Sequence, residues 1–173
     1  MGKEQQIDKF SNTAFVGVQE CSANTLTFAE LNTGVGTHEK VAWVVSRIDW
    51  FPRGATLAGL VAPDDLFDVA LCSSSKIDDI ANKNDPGVLV AKTFSISLHG
   101  TAASAQLIVT PMVDEFGNLP GGGIILTPKP LYLAAKGTSL AVAGYCGCRI
   151  HYTQRVLKAD EFWELVQASR IVS

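Results

Sequence analysis

Charge is what this chain has least of. Lys, Arg, Asp and Glu make up 18% of its 173 residues, while apolar types make up 47%. A soluble domain ordinarily carries about a quarter charged residues, so the composition predicts that part of the surface is covered by other copies. Long apolar runs are missing too. No stretch approaches the roughly 18–20 residues that a membrane span needs, and the opening Met1 to Phe10 has no apolar leader core, which predicts a soluble product of a cytosol-like compartment with no membrane partner. Gly2 would suit myristoylation, but Gln6 stands where that pattern wants Ser or Thr. A basic arm is absent as well: Lys3 and Lys9 are offset by Glu4 and Asp8, and the net charge is -3. That excludes tight nucleic-acid binding by a tail through counterion release, and leaves open a diffuse basic patch drawn from Lys129, Lys136, Arg149 and Arg155. Cysteines number 4, and without a secretory signal they are expected as free thiols.

What the chain does have is strand. Short apolar segments alternate with Gly, Pro, Asn and Asp clusters, which predicts an all-β antiparallel sandwich or barrel. The segments are 14–19, 25–31, 41–51, 66–72, 88–98, 105–113, 123–126, 131–134 and 139–153. At 173 residues one domain with a full core is expected: an N-terminal segment 1–13, a sandwich 14–153 and a terminal helix 159–170. The connection 73–85 has the Ser-Asp-Asp pattern of a short helix capped by Ser75. The terminal helix places Phe162, Leu165, Val166 and Ser169 at helical spacing, with Asp160 and Glu161 in the first turn where the dipole favours acids. Trp163 lies off that stripe, and packs on the sandwich edge or on another subunit.

Segment 41–51 carries the most information. At about 3.3 Å per residue the dozen residues from Lys40 to Phe51 span roughly 40 Å, twice the usual strand. A strict period of two puts Ala42, Val44, Ser46, Ile48 and Trp50 on one face and Val41, Trp43, Val45, Arg47, Asp49 and Phe51 on the other. Aromatic residues on both faces predict a sandwich whose outer side meets a neighbour. Arg47 and Asp49, two apart, are placed to pair across an interface or with adjacent strands.

No grouping of residues specifies catalysis. Cys146 and Cys148 point one way from the last strand, together with Leu140, Val142, Ile150 and Tyr152. Half a metal site or a redox pair needs partners with matching spacing, and Cys21 and Cys72 stand alone, so burial as small apolar groups is expected. His38, His99 and His151 lie in different segments and form no His-x-His grouping. His151 alternates with Arg149 and Thr153 on the face opposite the cysteines. No Gly-x-Ser-x-Gly elbow occurs. Gly121 to Gly123 lack the Lys-Ser/Thr of a phosphate loop and read as a place where chains approach closely. The acidic pairs Asp64-Asp65 with Asp68, Asp78-Asp79 and Asp114-Glu115 are solvated turns, or oxygen ligands for interfacial Ca²⁺ between subunits. No catalytic residue, cofactor site or resident metal site is assigned.

The order of elements resembles the single jelly-roll coat proteins of small icosahedral viruses. The residues that carry the resemblance are Val41 to Pro52 as a long early strand, and Pro130-Leu-Tyr-Leu133 leading to Arg149-Ile-His-Tyr-Thr153 as the closing one. It implies an eight-stranded antiparallel jelly roll with short helices at 73–85 and at the C-terminus. It also implies a non-enzymatic subunit that assembles with itself into a closed icosahedral shell, resident in the virion and assembled in the host cytoplasm or nucleus. Nucleic acid is then a possible cargo, though no basic arm is present to grip it. Jelly rolls also serve as lectin-like or cytokine-like trimeric binding modules and as cupin enzymes, and these are the alternatives.

Overall fold

The computed structural model of the protein describes residues 11–34, 40–62, 64–80, 85–98, 105–108, 112–126 and 129–171. Among them run the strands β1 (Asn12–Gln19), β2 (Thr27–Leu31), β3 (Val41–Pro52), β4 (Leu66–Cys72), β5 (Val88–Leu98), β6 (Ala105–Ile108), β7 (Val113–Glu115), β8 (Ile124–Leu126), β9 (Leu131–Thr138) and β10 (Tyr145–Val156). Two helices accompany them, α1 (Gly54–Ala58) and α2 (Ala159–Ile171).

All pairings are antiparallel. Sheet one runs β1-β10-β3-β7 with β8 also on β3, and sheet two runs β2-β9-β4-β5-β6. Strands β1 to β4 alternate between the layers, β4, β5 and β6 stay in sheet two, and β7 and β8 return to sheet one. The last two strands insert between the first ones, β10 between β1 and β3 and β9 between β2 and β4. That connectivity is a jelly roll. Each of the nine segments read from the sequence contains strand: 105–113 holds β6 at the edge of sheet two, with 109–111 outside the described residues, and 123–126 holds β8, while β7 forms where 114–115 were not expected as strand. Gly121 and Gly122, at φ 91° and 81°, turn the chain between β7 and β8. A Cβ at Gly123 would collide with the carbonyl of Val45, so the triple glycine does mark a close approach of chains.

One apolar cluster fills the space between the layers: Val16 and Val18 from β1, Trp43, Val45, Ile48 and Trp50 from β3, Phe67, Val69 and Leu71 from β4, Phe94, Leu133, and Cys146, Cys148 and Ile150 from β10. The strict alternation read for β3 fails in its middle. Val45 pairs with Tyr152 and Arg47 with His151, so Ser46 is an extra residue, a β-bulge. The bulge switches parity and turns Trp43 and Val45 as well as Ile48 and Trp50 inward. Trp43 and Trp50 are 2% and 0% exposed, and the expected aromatic load on both faces reduces to Phe51 alone on the outside.

Each outer face is partly roofed by the chain itself. The 73–85 connection carries Ile77 and Ile80 onto Ala70, Cys72 and Ala134 of sheet two, and Asp79 ties down to Lys136 at 3.0 Å. The described part of this connection is turn and bend rather than the expected helix; residues 81–84 lie outside the described set. The physical reason is local. Ser74 Oγ accepts the Lys76 N–H and the Asp85 carboxylate accepts the Gly87 N–H, each two residues on, the turn geometry by which Ser and Asp side chains compete with a helix. The short helix falls instead at α1, where Thr56 Oγ1 accepts the Tyr145 N–H.

Helix α2 forms where expected and seats Phe162 and Leu165 on Ala42, Leu157 and Ile125 at one end of sheet one. The final strand begins later than expected: residues 139–144 are loop, which leaves Val142 57% exposed. Across the core, Lys92 of sheet two reaches Asp114 of sheet one at 2.7 Å, and the Trp50 indole N–H donates to the same carboxylate at 2.8 Å.

Candidate functional site

The opposite end of sheet one, away from α2, has an unusual floor. Gly17 of β1 and Gly147 of β10 stand directly opposite each other, and the missing side chains leave room for two rings to lie down. A Cβ at Gly147 would come within 2.7 Å of Phe15 Cζ, and one at Gly17 within 3.1 Å of Tyr145 Cζ. Phe15 and Tyr145 therefore lie diagonally across the glycine pair, one from each strand. Phe51, from β3 beside Gly147, adds a third ring, with its centroid 6.4 Å from that of Phe15. Phe15 and Phe51 are 55% and 41% exposed. Two guanidiniums border the floor: Arg149 stands 5.3 Å from the Phe51 ring centroid and Arg53 stands 4.1 Å from that of Tyr145, distances at which a cation is attracted to the ring face. Among the described residues neither arginine has a carboxylate partner.

Next along the same face lies a polar network. Arg47 Nε donates to Asp49 Oδ1 at 2.6 Å, and its Nη1 lies 3.6 Å from Glu115. His151 Nε2 lies 2.9 Å from Asp49 Oδ2, and since a carboxylate only accepts, the imidazole donates. Burial alone would raise the Asp49 carboxyl, but the bonds from Arg47 and His151 outweigh it and hold it below the ordinary carboxylate value. Arg47 and Asp49 thus pair with each other within one strand. The arrangement holds an acid, a base and a cation, and among the described residues it includes no nucleophile.

The loops at this same end of the sandwich are locked. Glu20, 2% exposed, accepts N–H groups from Thr25, Gly137 and Gly144. Asn24 brackets both the N–H and the carbonyl of Leu140. Asp65 accepts from Val61 and Ala62. From these fixed loops Val61 and Val142 project at 73% and 57% exposure.

The residues marked by the sequence are spread out. Cys146 and Cys148 sit in the core as expected; burial pushes the Cys146 thiol up to about 12 and raises Cys148 as well. Burial, with Asp85 nearby, also pushes Cys72 to about 12. Cys21 is exposed, and the Thr27 hydroxyl beside it lowers its thiol. His38 and His99 lie outside the described residues. Of the acids considered for Ca²⁺, Asp65 caps a turn, Asp79 pairs with Lys136, Asp114 with Lys92 and Glu115 with Arg47. Among the described residues no three His, Cys, Asp or Glu side chains converge as a metal site, and no helix is long and apolar enough to cross a membrane. Lys136 belongs to sheet two and Arg149 to sheet one, so the diffuse basic patch read from the sequence is not one patch. The floor itself was legible only as fragments. Each glycine lies two residues from an aromatic in its strand, but that Gly17 faces Gly147 is a matter of register, which one strand alone does not specify.

Connectivity and surface together define a two-sheet jelly roll with an open aromatic and arginine floor. No protein-family model matches the chain, and no curated protein matches it. Among solved structures it is similar to VP1 of the Trichodysplasia spinulosa-associated polyomavirus, at 9% identity and a TM-score of 0.46, over 87% of this chain and 97% of that one. At that distance the likeness assigns neither a family nor an activity.

Proposed function

We propose that this protein is a structural subunit that assembles with itself into a closed viral capsid. The observation that carries the reading is the placement of exposed apolar side chains at opposite ends of one sandwich. Val61 and Val142, at 73% and 57%, stand on the locked loop end, and Trp163, at 55%, stands on α2 at the other. Phe162 beside it is buried against Ala42 and Leu157, which leaves Trp163 free to meet a neighbour. One two-fold contact does not cover both ends; heterologous contacts repeated around a closed surface do. Loops fixed beforehand by Glu20, Asn24 and Asp65 lose little freedom on contact, and many weak contacts then sum by multivalency. A low charged share of 18% and a net charge of -3 leave modest repulsion between copies.

Electron microscopy of the purified protein is expected to show hollow particles of uniform diameter. Val61→Asp and Trp163→Ala are each expected to lower particle yield severalfold with the thermal midpoint nearly unchanged. Equal loss of folding and assembly would make these side chains core and remove the support. The locked loop end also favours a second reading, a trimeric lectin-like or cytokine-like module that presents loops to a ligand. A native mass of three copies, with no larger species, would select it.

A further inference from the structure

We propose that the floor formed by Phe15, Phe51 and Tyr145, with Arg53 and Arg149 at its border, binds single-stranded nucleic acid. The inference rests on the sheet surface and stands whether or not the chain builds a shell.

A single strand offers two things to a protein surface, the flat faces of unpaired bases and a run of phosphates. The floor answers both. With Gly17 facing Gly147, Phe15 lies down on the sheet instead of standing up from it, and its outward face has the shape on which a base stacks. Phe51, its centroid 6.4 Å from that of Phe15 and its ring tilted 43° to it, offers a second apolar surface for the base of an adjacent nucleotide, with the Arg149 guanidinium 5.3 Å from its centroid. Arg53 and Arg149 supply cations that no carboxylate among the described residues neutralises, on a chain whose net charge is -3. The carboxylate of the strand neighbour Asp49 is occupied on both oxygens by Arg47 and His151. The floor is therefore locally positive against the sign of the whole molecule, and it attracts an anion that also has flat apolar faces.

Other occupants fit less well. A duplex keeps its bases stacked inside and would meet the arginines only. A second copy placed by a two-fold axis through the floor would bring four arginines, Arg53 and Arg149 from each copy, into one small contact, like charge near like charge.

The test uses the full chain in a buffer where sedimentation shows dissociated subunits. Fluorescence anisotropy with labelled 20-nucleotide oligo-dT and oligo-U is compared with a duplex of the same length and with heparin. Both single strands are expected to bind at least tenfold tighter than the duplex or heparin. Phe15→Leu and Phe51→Ala are each expected to weaken binding about five- to tenfold, with Phe15→Trp restoring it, as stacking on an aromatic face requires. Arg149→Gln is expected to lower the slope of log affinity against log salt by roughly 0.7, one phosphate contact on a single strand. Circular dichroism melts exclude misfolded variants. Heparin binding as tight as the oligonucleotides would reduce the floor to a generic cation patch and overturn the proposal. So would oligonucleotide binding indifferent to Phe15→Leu and Phe51→Ala. Loss of self-association in those variants with oligonucleotide affinity intact would make the floor a contact between copies.

Discussion

Over sheet two the chain lays its own residues: Ile77 and Ile80, 5% and 1% exposed, cover Ala70, Cys72 and Ala134. Over the Tyr145 end of sheet one no described residue does the same, and Phe15 and Phe51 remain 55% and 41% exposed beside two guanidiniums that lie over the Tyr145 and Phe51 rings and have no carboxylate partner among the described residues. Both faces began with apolar side chains pointing outward, so the difference is one of use rather than composition. A face the fold needs is roofed by the chain. The face left open, flattened by paired glycines and bordered by cations, is the one the proposed partner would cover.

The largest expected effect comes from opening the closed face. Ile80→Ala removes most of a fully buried aliphatic side chain and is expected to cost about 2–4 kcal/mol, read from the midpoint and slope of a urea titration. A cost below about 1 kcal/mol would mean the roof is loosely applied and the contrast between the faces overstated.

An intermediate effect, present near neutrality and lost only in acid, belongs to the network between the floor and α2. The folded Asp49 carboxyl lies below its ordinary value because Arg47 and His151 bond its charged form more than burial disfavours it. Its stabilising contribution is therefore complete above the ordinary carboxylate value of about 3.9 and lost as pH falls through the lower folded value. The stability gap between the wild type and Asp49→Asn is expected to be flat from about pH 5 to 7 and to close below about pH 4. A gap that does not vary with pH would mean that the loss comes from packing and not from charge.

The smallest effect is expected on the open face. Phe51→Ala is expected to shift stability by no more than about 0.5 kcal/mol, as exposed substitutions usually do, while it lowers oligonucleotide affinity. A large loss of stability would place Phe51 with the closed face.

The sequence disclosed the sandwich because each strand announces itself locally: an apolar segment ends in Gly, Pro, Asn or Asp, and most predicted segments match observed strands to within a few residues. Strand β3 shows where that legibility stops. Its inward residues change parity at Ser46, and a bulge is set by the partner strand as much as by the residue that bulges, so a period of two misassigned Trp43 and Val45. The 73–85 connection was misread as well. Ser75, Asp78 and Asp79 fit a helix start, but Ser74 and Asp85 bond the backbone two residues on and hold turns there, and those turns set Ile77 and Ile80 on a part of sheet two that lies far off in sequence. The floor was the least legible of all. The sequence placed Phe51 on one face of its strand without telling which face is the outer one, and Phe15, Tyr145 and Arg53 acquire meaning only once β1, β10 and β3 lie side by side. The inward placement of Cys146 and Cys148, in contrast, followed from alternation along one regular strand.

Sedimentation velocity of the wild-type chain across protein concentration and salt tests the central claim of self-assembly most directly. The account expects one large, discrete species in equilibrium with subunits, its share rising with concentration as contacts sum cooperatively. A homogeneous monomer of 18.4 kDa at every concentration and salt would contradict it.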